Sequence, residues 1–370
     1  MTGKKARLIP FYLPQFYPIP ENDEWWGKGF TEWTNVKKAK PLYQKHYQPH
    51  VPGELGYYDL RDPGVRIKQA HLAKEHGVEG FCYWHYWFGG GKRLLERVFD
   101  EVVRTGIPDL PFCLAWANIS WSGIWHGAPG RVLVEQKYPG IEDYKAHFYA
   151  LLEAFRDKRY MRVDGKPIFV VFQPKDLPNL AEFTSCWRDL SRKEGLPGIY
   201  FVGVSFSLSW DHRKDGFDAF TSLPPKECIN RFNYGREGII NRWIKRLINK
   251  SLPAAAKNII SGPHRYNHRE LLDYMVPNVK ENINFLPDIM SNWDNTPRCG
   301  RRGYVLEGST PELFRIVLKK AIEQVSGKRK EEKIIFIRSW NEWAEGNYLE
   351  PDTKFGRGYL KAIKEEIFEA

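Results

Sequence analysis

Residues Lys333–Pro351 read KIIFIRSWNEWAEGNYLEP, a short apolar run followed by a polar and aromatic segment. The apolar run predicts a buried β-strand over Lys333–Trp340. From Ser339 onward the segment contains two tryptophans, two asparagines and three glutamates. Surface loops rarely carry so many large aromatic side chains, and protein cores rarely hold several carboxylates. We therefore predict that a buried strand ends here and that the residues after it line a site.

Similar apolar runs recur along the chain, with helical stretches between them. They predict seven further strands, over Ala6–Pro14, Val78–Trp87, Leu110–Asn118, Pro167–Gln173, Ile199–Ser205, Phe217–Ser222 and Phe285–Trp293. Strands that are mostly apolar throughout are typical of a parallel sheet covered on both faces. Eight of them favour a closed (β/α)8 (TIM) barrel over an open doubly wound sheet. We predict a single catalytic barrel domain over residues 1–370, with long loops over the carboxyl ends of its strands.

Three of the intervening segments carry clear helix signals. Pro63–Gly77 begins with a proline, which fits a first helical turn, and ends with a glycine, which fits a C-terminal stop. Ile141–Phe155 and Thr310–Gly327 have apolar residues at spacings of three and four, and Thr310 suits an N-cap. These segments are predicted to be helices packed around the barrel.

The net charge of +11 suggests acidic partners, but the basic residues are scattered. Two local clusters occur, at Arg242–Lys250 and Arg298–Arg302. A polymeric nucleic acid would require a more continuous basic surface, so we predict no nucleic-acid partner. The first cluster has apolar residues among its bases, so a helix there could rest weakly on a membrane surface or an anionic glycan. The pattern favours the alternative, a solvated helix face.

The N-terminal sequence and the cysteines predict a soluble, cytoplasmic protein. No run of about eighteen apolar residues exists, and prolines interrupt the N-terminal apolar stretch too soon for a secretion signal. The alternative is that a leader segment is missing from this sequence. The five cysteines are odd in number and lack CxxC spacing, which indicates reduced thiols and no zinc site. The oligomeric state is not predicted.

The sequence lacks the signatures of several common enzyme classes. No GxGxxG follows a strand, and no P-loop, HExxH, Asp-x-Asp or GxSxG motif occurs. The pairs His46 and His50, and His264 and His268, have metal-ligand spacing but lie in loop-like contexts beside prolines. We therefore predict neither a metal nor another cofactor.

Aromatic and amide residues gather at the carboxyl ends of the predicted strands, where barrel enzymes have their active sites. Each aromatic residue alone is more often core than ligand contact, but several such clusters favour a binding cleft. Aromatic rings stack on the C–H faces of sugars, while amides and carboxylates bind sugar hydroxyls. The predicted partner is thus an oligosaccharide or polysaccharide substrate. The cleft candidates are Tyr12, Tyr83, His85, Tyr86, Trp116, Asn118, Trp121, Trp293, Trp340, Asn341 and Trp343.

Glu342 and Glu345 are candidates for an acid and base pair, as glycosidic cleavage requires. Residues three apart face opposite sides of a strand but share a face in a turn. The pair can therefore meet one substrate only if the strand has ended by Asn341. The alternative for either glutamate is a salt-bridge partner or loop cap, and Glu350 is predicted to be a structural cap before Pro351.

Several segments together resemble the WbsX-type proteins of bacterial surface-polysaccharide gene clusters, often labelled glycosyltransferases. These proteins are in turn similar to the family-99 glycoside hydrolases, the endo-α-mannosidases. The WbsX-type resemblance extends over nearly the whole chain, whereas the resemblance to the hydrolases rests on the barrel and two local motifs. The segments are Phe11–Val36, Gly80–Phe88, Leu114–Trp121, Asn292–Arg298 and Ser339–Asp352.

The resemblance implies a (β/α)8 barrel and a retaining, metal-independent cleavage. In it the 2-hydroxyl of the sugar attacks the anomeric carbon and forms a 1,2-anhydro intermediate. The hydrolases' Glu-Trp-x-Glu motif matches EWAE, which implies Glu342 as the base at the 2-hydroxyl and Glu345 as the acid, then base, at the glycosidic oxygen. Glu345 would then need a raised pKa, which a tryptophan-rich pocket could supply by desolvation.

The resemblance also suggests further residues near the substrate. Asp294 and Arg298, in NWDNTPR, match the corresponding strand-seven segment of the hydrolases. Glu32 and Trp33, in GFTEW, have no counterpart there but are included as substrate-binding candidates, because the loop that carries them would reshape the cleft.

The favoured hypothesis is a glycoside hydrolase that acts on a bacterial surface polysaccharide or its oligosaccharide repeat. One alternative is a glycosyltransferase of lipopolysaccharide, capsule or O-antigen biosynthesis, which would use a nucleotide sugar or lipid-phosphate sugar. Another is a glycan-binding protein without catalytic activity. The sequence does not identify the sugar or the linkage.

Overall fold

Eight parallel strands form the centre of the protein in a computed structural model, which describes residues 3–123, 128–236, 262–279 and 284–369. Neighbouring strands pair in the order β1 to β8, and β8 pairs with β1. The strands are β1 (Arg7–Tyr12), β2 (Phe81–Trp87), β3 (Phe112–Trp116), β4 (Lys166–Val171), β5 (Tyr200–Val204), β6 (Ala219–Thr221), β7 (Phe285–Leu286 and Asp288–Ile289) and β8 (Ile334–Ile337).

The seventh strand closes the barrel in two pieces. Phe285–Leu286 pairs with β6, and Asp288–Ile289 pairs with β8. Pro287, between them, has no N–H to donate, but its carbonyl oxygen accepts a hydrogen bond from the N–H of Phe336 at 2.8 Å. The predicted (β/α)8 barrel is therefore confirmed, and each of the eight predicted strands is present, with bounds that differ by a few residues.

Helices and short 3-10 turns surround the barrel. The three predicted helices are present, and Thr310 caps the last of them by accepting a hydrogen bond from the N–H of Leu313. The helices are α1 (Pro20–Trp26), α2 (Glu32–Lys38), α3 (Pro63–Glu75), α4 (Arg97–Thr105), α5 (Ile141–Arg156), α6 (Leu180–Lys193), α7 (Lys226–Arg236), α8 (His268–Met275), α9 (Thr296–Cys299), α10 (Pro311–Val325) and α11 (Gly358–Ile367). The 3-10 turns are Pro174–Asp176, Gly300–Arg302, Lys330–Glu332 and Trp343–Glu345.

Short strands outside the eight-stranded barrel form further pairings. Arg93–Leu94 pairs with β2, and Arg162–Val163 pairs with β4. Three small two-stranded sheets join Trp121–Gly123 with Ala128–Val134, His264–Asn267 with Tyr304–Glu307, and Asn341–Glu342 with Asn347–Tyr348.

Aromatic residues fill much of the barrel interior, which explains part of the 15% aromatic content of the sequence. Phe11 on β1 stacks on Trp84 of β2, with ring centres 4.8 Å apart, and on Phe336 of β8 at 5.2 Å. All three residues lie at most 6% exposed. The packing fixes the relative positions of the strands whose carboxyl ends carry the site.

The predicted amphipathic helix over Arg242–Lys250, with its predicted membrane contact, lies outside the described residues. Among the helices that the structure does describe, none combines the length and hydrophobicity needed to span a bilayer.

Candidate active site

The segment after β8 reverses direction in a tight turn. The hydroxyl of Ser339 accepts hydrogen bonds from the N–H groups of Asn341 (3.0 Å) and Glu342 (2.8 Å). Asn341–Glu342 then pairs antiparallel with Asn347–Tyr348 across the 3-10 turn. Because the barrel strand ends at Ile337, the chain is free to place Glu342 and Glu345 on one side of this turn. We call Glu342 and Glu345 the glutamate pair.

Gly346 makes the tightness of the turn possible. Its φ is +58°, a conformation that side-chain-bearing residues adopt with strain. A Cβ at this position would lie 2.8 Å from the backbone nitrogen of Asp294. The N–H of Asp294 in turn donates to the carbonyl oxygen of Glu345 at 2.7 Å. The turn is thus bonded directly to the segment that follows β7.

Three carboxylates surround the guanidinium of Arg298, which lies on α9. Its Nη2 donates to Oε1 of Glu32 at 2.6 Å, and its Nη1 donates to Oε1 of Glu345 at 2.7 Å. Oε2 of Glu342 lies 3.8 Å from the same Nη1. The three glutamates are at most 7% exposed. One cation therefore faces three buried acidic groups.

The burial of these groups shifts their proton affinities. Burial, and then the charge of Glu345, raise the pKa of Glu342 well above its usual value. Burial also raises the pKa of Glu32, although the charge of Arg298 opposes this shift. Burial alone would lower the pKa of Arg298, but the surrounding carboxylates raise it above its usual value. The arrangement favours the protonated form of Glu342.

The glutamate pair opens into a cleft at the carboxyl ends of the strands, which encloses about 1050 Å³ including its mouth. Nε1 of Trp84 donates to Oε1 of Glu342 at 3.0 Å from one wall. Glu32 reaches the cleft because its N–H, at the start of α2, donates to the carbonyl oxygen of Gln15 at 2.9 Å. The aromatic lining consists of Trp26, Phe30, Trp84, Tyr86, Trp121 and Phe172.

A family model described as Glycosyltransferase WbsX matches residues 8–363. The chain belongs to the Glycosyltransferase WbsX family. It is also 35% identical over 366 residues to proteins of two strains of Xanthomonas campestris pv. campestris, both described as uncharacterized protein WxcX. The aligned region is 99% of this chain and 50% of each relative. The chain therefore spans about half the length of these curated relatives.

Solved structures share the barrel of this WbsX-family chain. A glycoside hydrolase-like protein superposes with a TM-score of 0.61 and 16% identity, covering 100% of this chain and 96% of that one. The GH99 endo-alpha-mannosidase from Bacteroides thetaiotaomicron superposes with a TM-score of 0.54 and 15% identity, covering 97% and 96%. At these sequence identities, the similarity shows that the fold is shared and no more than that. The resemblance to WbsX-type proteins and to the fold of family-99 hydrolases is confirmed.

Six of the predicted site residues of the WbsX-family chain line the cleft together. Tyr86 and Trp121 contribute rings to its wall, with ring centres 5.2 Å apart. The other four are Glu32, Arg298, Glu342 and Glu345.

Trp340, Asn341 and Trp343 belong to the turn but do not line the cleft. Their hydrogen bonds hold the turn in place. Nε1 of Trp340 donates to Oε1 of Glu350 at 2.9 Å, and Nε1 of Trp343 donates to Oε2 at 2.7 Å. The side chain of Asn341 is paired with both backbone groups of Leu13. Glu350 itself is 1% exposed and accepts four side-chain hydrogen bonds. It anchors the tryptophans on either side of Glu342, so its predicted role as a cap before Pro351 is wrong.

Six further candidates are buried around the barrel and do not line the cleft. Polar side-chain atoms of five of them are engaged inside the protein, as when Oδ1 of Asn118 accepts from the N–H of Gln173 at 2.7 Å. Similarly, Nε2 of His85 lies 2.8 Å from Nε2 of His147. These six are Tyr12, Trp33, Tyr83, His85, Trp116 and Asn118.

Trp293 and Asp294 line a separate hollow of about 610 Å³. Oδ2 of Asp294 accepts hydrogen bonds from Gln48 at 2.7 Å and from His46 at 2.8 Å. Oδ1 accepts from the hydroxyl of Thr296 at 2.6 Å. With both carboxylate oxygens bonded to protein groups, Asp294 holds the segment that precedes α9 in place.

Each of the four histidines with metal-ligand spacing contacts a different group. His46 contacts Asp294, and Nδ1 of His50 lies 2.8 Å from the hydroxyl of Tyr348. His264 stacks on Tyr304 and is exposed, whereas His268 is buried. Within the part of the chain that the structure describes, no group of three or more His, Cys, Asp or Glu side chains could hold a metal ion.

Sequence reasoning missed two residues beside the glutamate pair, Trp84 and Arg338, both of which line the cleft. Strand alternation could have identified the first. Side chains two apart on a strand share a face, so Trp84 and Tyr86 point into the cleft while Tyr83 and His85 point away from it. Only alternate residues of the aromatic cluster at the end of β2 therefore line the cleft.

Proposed function

We propose that this WbsX-family chain is a glycoside hydrolase that cleaves a bacterial surface polysaccharide or its oligosaccharide repeat. The observation that carries the proposal is the glutamate pair, two buried carboxyl groups on one turn in an aromatic-lined cleft. Burial, and then the charge of Glu345, raise the pKa of Glu342, which favours a proton on that carboxyl group. A reaction that needs one acid and one base requires a pair in this state.

The proposed reaction proceeds without an enzyme nucleophile. Glu342 takes the proton of the sugar 2-hydroxyl, whose oxygen attacks the anomeric carbon and forms a 1,2-anhydro sugar. The bond from that carbon to the glycosidic oxygen breaks, and Glu345 donates a proton to the leaving oxygen. Glu345 then takes a proton from the water that opens the anhydro ring, and Glu342 returns its proton to the 2-oxygen. Both carboxyl groups end in their starting states.

The proposed roles must account for the protonation of Glu342 before the substrate binds. Burial, and then the charge of Glu345, favour the protonated form of Glu342 in the free protein. The assignment of Glu342 as base therefore requires that its proton pass to Glu345 as the substrate binds. Arg298, which contacts Glu345 at 2.7 Å and lies 3.8 Å from Glu342, would stabilise the carboxylate left after each transfer.

The experiment compares Glu342→Gln and Glu345→Gln with the wild type in a reducing-end assay on the surface glycan of the source cell. Each variant is expected to lose at least about a hundredfold in kcat, as for loss of an acid or base group. Glu323→Gln, which changes an exposed glutamate on α10, is the matched control. Rates near the wild-type value in both pair variants would refute the proposal.

A second comparison assigns the individual roles. Loss of a general acid is offset when the leaving group is a good one, because its oxygen needs no proton. We therefore expect Glu345→Gln to recover much of its rate on an aryl glycoside with an acidic phenol, whereas Glu342→Gln stays slow. The opposite result would exchange the two roles.

A glycosyltransferase is the second candidate, because the family to which the chain belongs is described by that name. Such an enzyme would bind a nucleotide sugar or a lipid-phosphate sugar tightly. Calorimetry with a panel of nucleotide sugars, together with transfer to an acceptor glycan without release of reducing ends, would favour it over the hydrolase.

A further inference from the structure

Arg338 is a second cation in the cleft, and the proposed reaction does not use it. It follows β8 directly, and its N–H donates to the carbonyl oxygen of Ile289 at 2.7 Å. Its side chain is 8% exposed. The guanidinium carbon lies 5.6 Å from the ring centres of both Phe11 and Trp84. Since these rings lie against the guanidinium, its N–H edges are the positions from which it can bind another group.

The N–H edges of Arg338 make no hydrogen bond with any described residue. Nε and Nη1 are buried and have no hydrogen-bond partner among the described residues, whereas Nη2 is not fully buried and is the nitrogen through which Arg338 can reach the cleft. The nearest carboxylate oxygen is Oδ2 of Asp288, 3.9 Å from Nη1, which is too far for a hydrogen bond. Within the described part of the chain, neither oxygen of Asp288 has a hydrogen-bond partner. Arg298, by contrast, contacts its carboxylates at 2.6 and 2.7 Å.

A buried guanidinium without hydrogen bonds is unfavourable unless another group completes its contacts. Asp288 compensates its charge only in part, because burial raises the pKa of that carboxyl to about 7. The planar fork of an arginine matches the two oxygens of a carboxylate or a phosphate.

The position of Arg338 relates it to the catalytic centre. The ring of Trp84, beside which Arg338 lies, donates its Nε1–H to Glu342 at 3.0 Å. An anion held by Arg338 would therefore be part of the sugar that contacts Glu342, or of its immediate neighbour.

We propose that Arg338 forms an anion-binding subsite in the cleft and that the glycan carries an acidic group at this position. The inference rests on the proposed glycan-cleaving function and narrows its substrate class to acidic glycans. A uronic acid-type sugar and a phosphate or sulfate substituent share this chemistry.

The test measures binding rather than turnover. Methyl β-glucuronoside and methyl β-glucoside, which differ in a carboxylate against a hydroxymethyl group, are titrated against the purified protein by ligand-observed NMR. We expect the wild type to bind the acidic glycoside at least about tenfold more tightly. Arg338→Met, which keeps the length of the side chain without its charge, should reduce the preference to about threefold or less. Arg329→Gln, which removes one exposed positive charge just before β8, is the matched control and should retain it.

Arg338→Lys is a second variant in case Arg338→Met does not fold, as judged by circular dichroism. It keeps the charge but lacks the fork, so an intermediate preference is expected. Competition by inorganic phosphate or sulfate identifies the natural source of the anion. Displacement of the glucuronoside by either ion assigns the subsite to a glycan with that substituent, and failure of both assigns it to a carboxylate sugar.

Three results would overturn the inference. They are equal binding of the two glycosides by the wild type, an unchanged preference in both Arg338 variants, and no binding of the glucuronoside, phosphate or sulfate at millimolar concentrations. The outcome is separable from the fate of the hydrolase proposal. A protein that prefers the acidic glycoside but releases no reducing ends from the natural glycan would retain the subsite and refute hydrolysis.

Discussion

Replacing Glu350 by glutamine is expected to destabilise the protein, because the carboxylate accepts hydrogen bonds that an amide cannot accept. Oε1 accepts from Gln69 at 2.7 Å and from Trp340 at 2.9 Å. Oε2 accepts from the hydroxyl of Tyr58 at 2.9 Å and from Trp343 at 2.7 Å. Glutamine has one acceptor oxygen, so its amide nitrogen would face two of these four donors.

The size of the effect follows from the two donors left without an acceptor. A buried donor that loses its partner costs about 1–3 kcal/mol, so the expected loss is on the order of 2–6 kcal/mol. This is a large part of the about 5–15 kcal/mol that stabilises typical proteins. Because the donors include the two tryptophans beside Glu342, we also expect kcat to fall by about tenfold or more, as for small displacements of catalytic groups.

The assay is urea unfolding at about pH 8, followed by tryptophan fluorescence and circular dichroism. Burial raises the pKa of Glu350 to about 7, while its four donors oppose that shift. The carboxylate is therefore ionised at pH 8, and removal of its buried charge offsets part of the loss expected for the variant. Glu323→Gln should change stability by no more than about 0.5 kcal/mol, as is usual for surface substitutions. If Glu350→Gln also falls within that limit, the reasoning about the four donors is wrong.

Three further substitutions test other parts of the site. Burial raises the pKa of Asp288 from 3.8 to about 7. The contribution of this carboxyl group to stability is therefore complete below pH 4 and is lost as the pH rises through 7. Asp288→Asn should flatten the pH dependence of the unfolding free energy between pH 4 and 7 by on the order of 4 kcal/mol. Gly346→Ala should cost about 1–3 kcal/mol of stability through its positive φ, and more through the close contact of the new Cβ with Asp294. In a thermal melt, Gly308→Ala should lower the melting temperature less, because its surroundings are open. Glu32→Gln removes a charge that engages Arg298. Arg298 should then lower the pKa of Glu342 further and move the alkaline limb of the pH–rate profile to lower pH; an unmoved limb would contradict this role.

The fold was predictable because the strands of a barrel covered by helices are short apolar runs, which are visible in the sequence. The bounds of β7 were not. The run Phe285–Trp293 predicts a continuous strand, but the structure divides it at Pro287 and ends it at Ile289. The proline is visible in the sequence, whereas the fact that the two halves pair with different neighbours depends on the closure of the barrel.

The site was predictable where its signal was local. The turn with Glu342 and Glu345 and the aromatic ends of the strands follow from short segments. The partners of the turn do not, because Glu32 and Arg298 are separated by 266 positions and meet only in the folded chain. Glu350 shows the same limit, since the sequence gives no sign that four distant donors converge on it.

The charges around Arg298 connect the structural role of Glu32 with the proposed chemistry. If Glu32, Glu342 and Glu345 were all ionised, Arg298 could neutralise only one of the three. Glu32 contacts Arg298 at 2.6 Å and also accepts the N–H of Ala344 at 3.0 Å, so it engages much of that positive charge. Less positive charge then remains to stabilise the two buried carboxylates of the glutamate pair. A proton bound by the pair removes one of the two negative charges. A carboxylate outside the reaction would in this way keep the other two as one acid and one base.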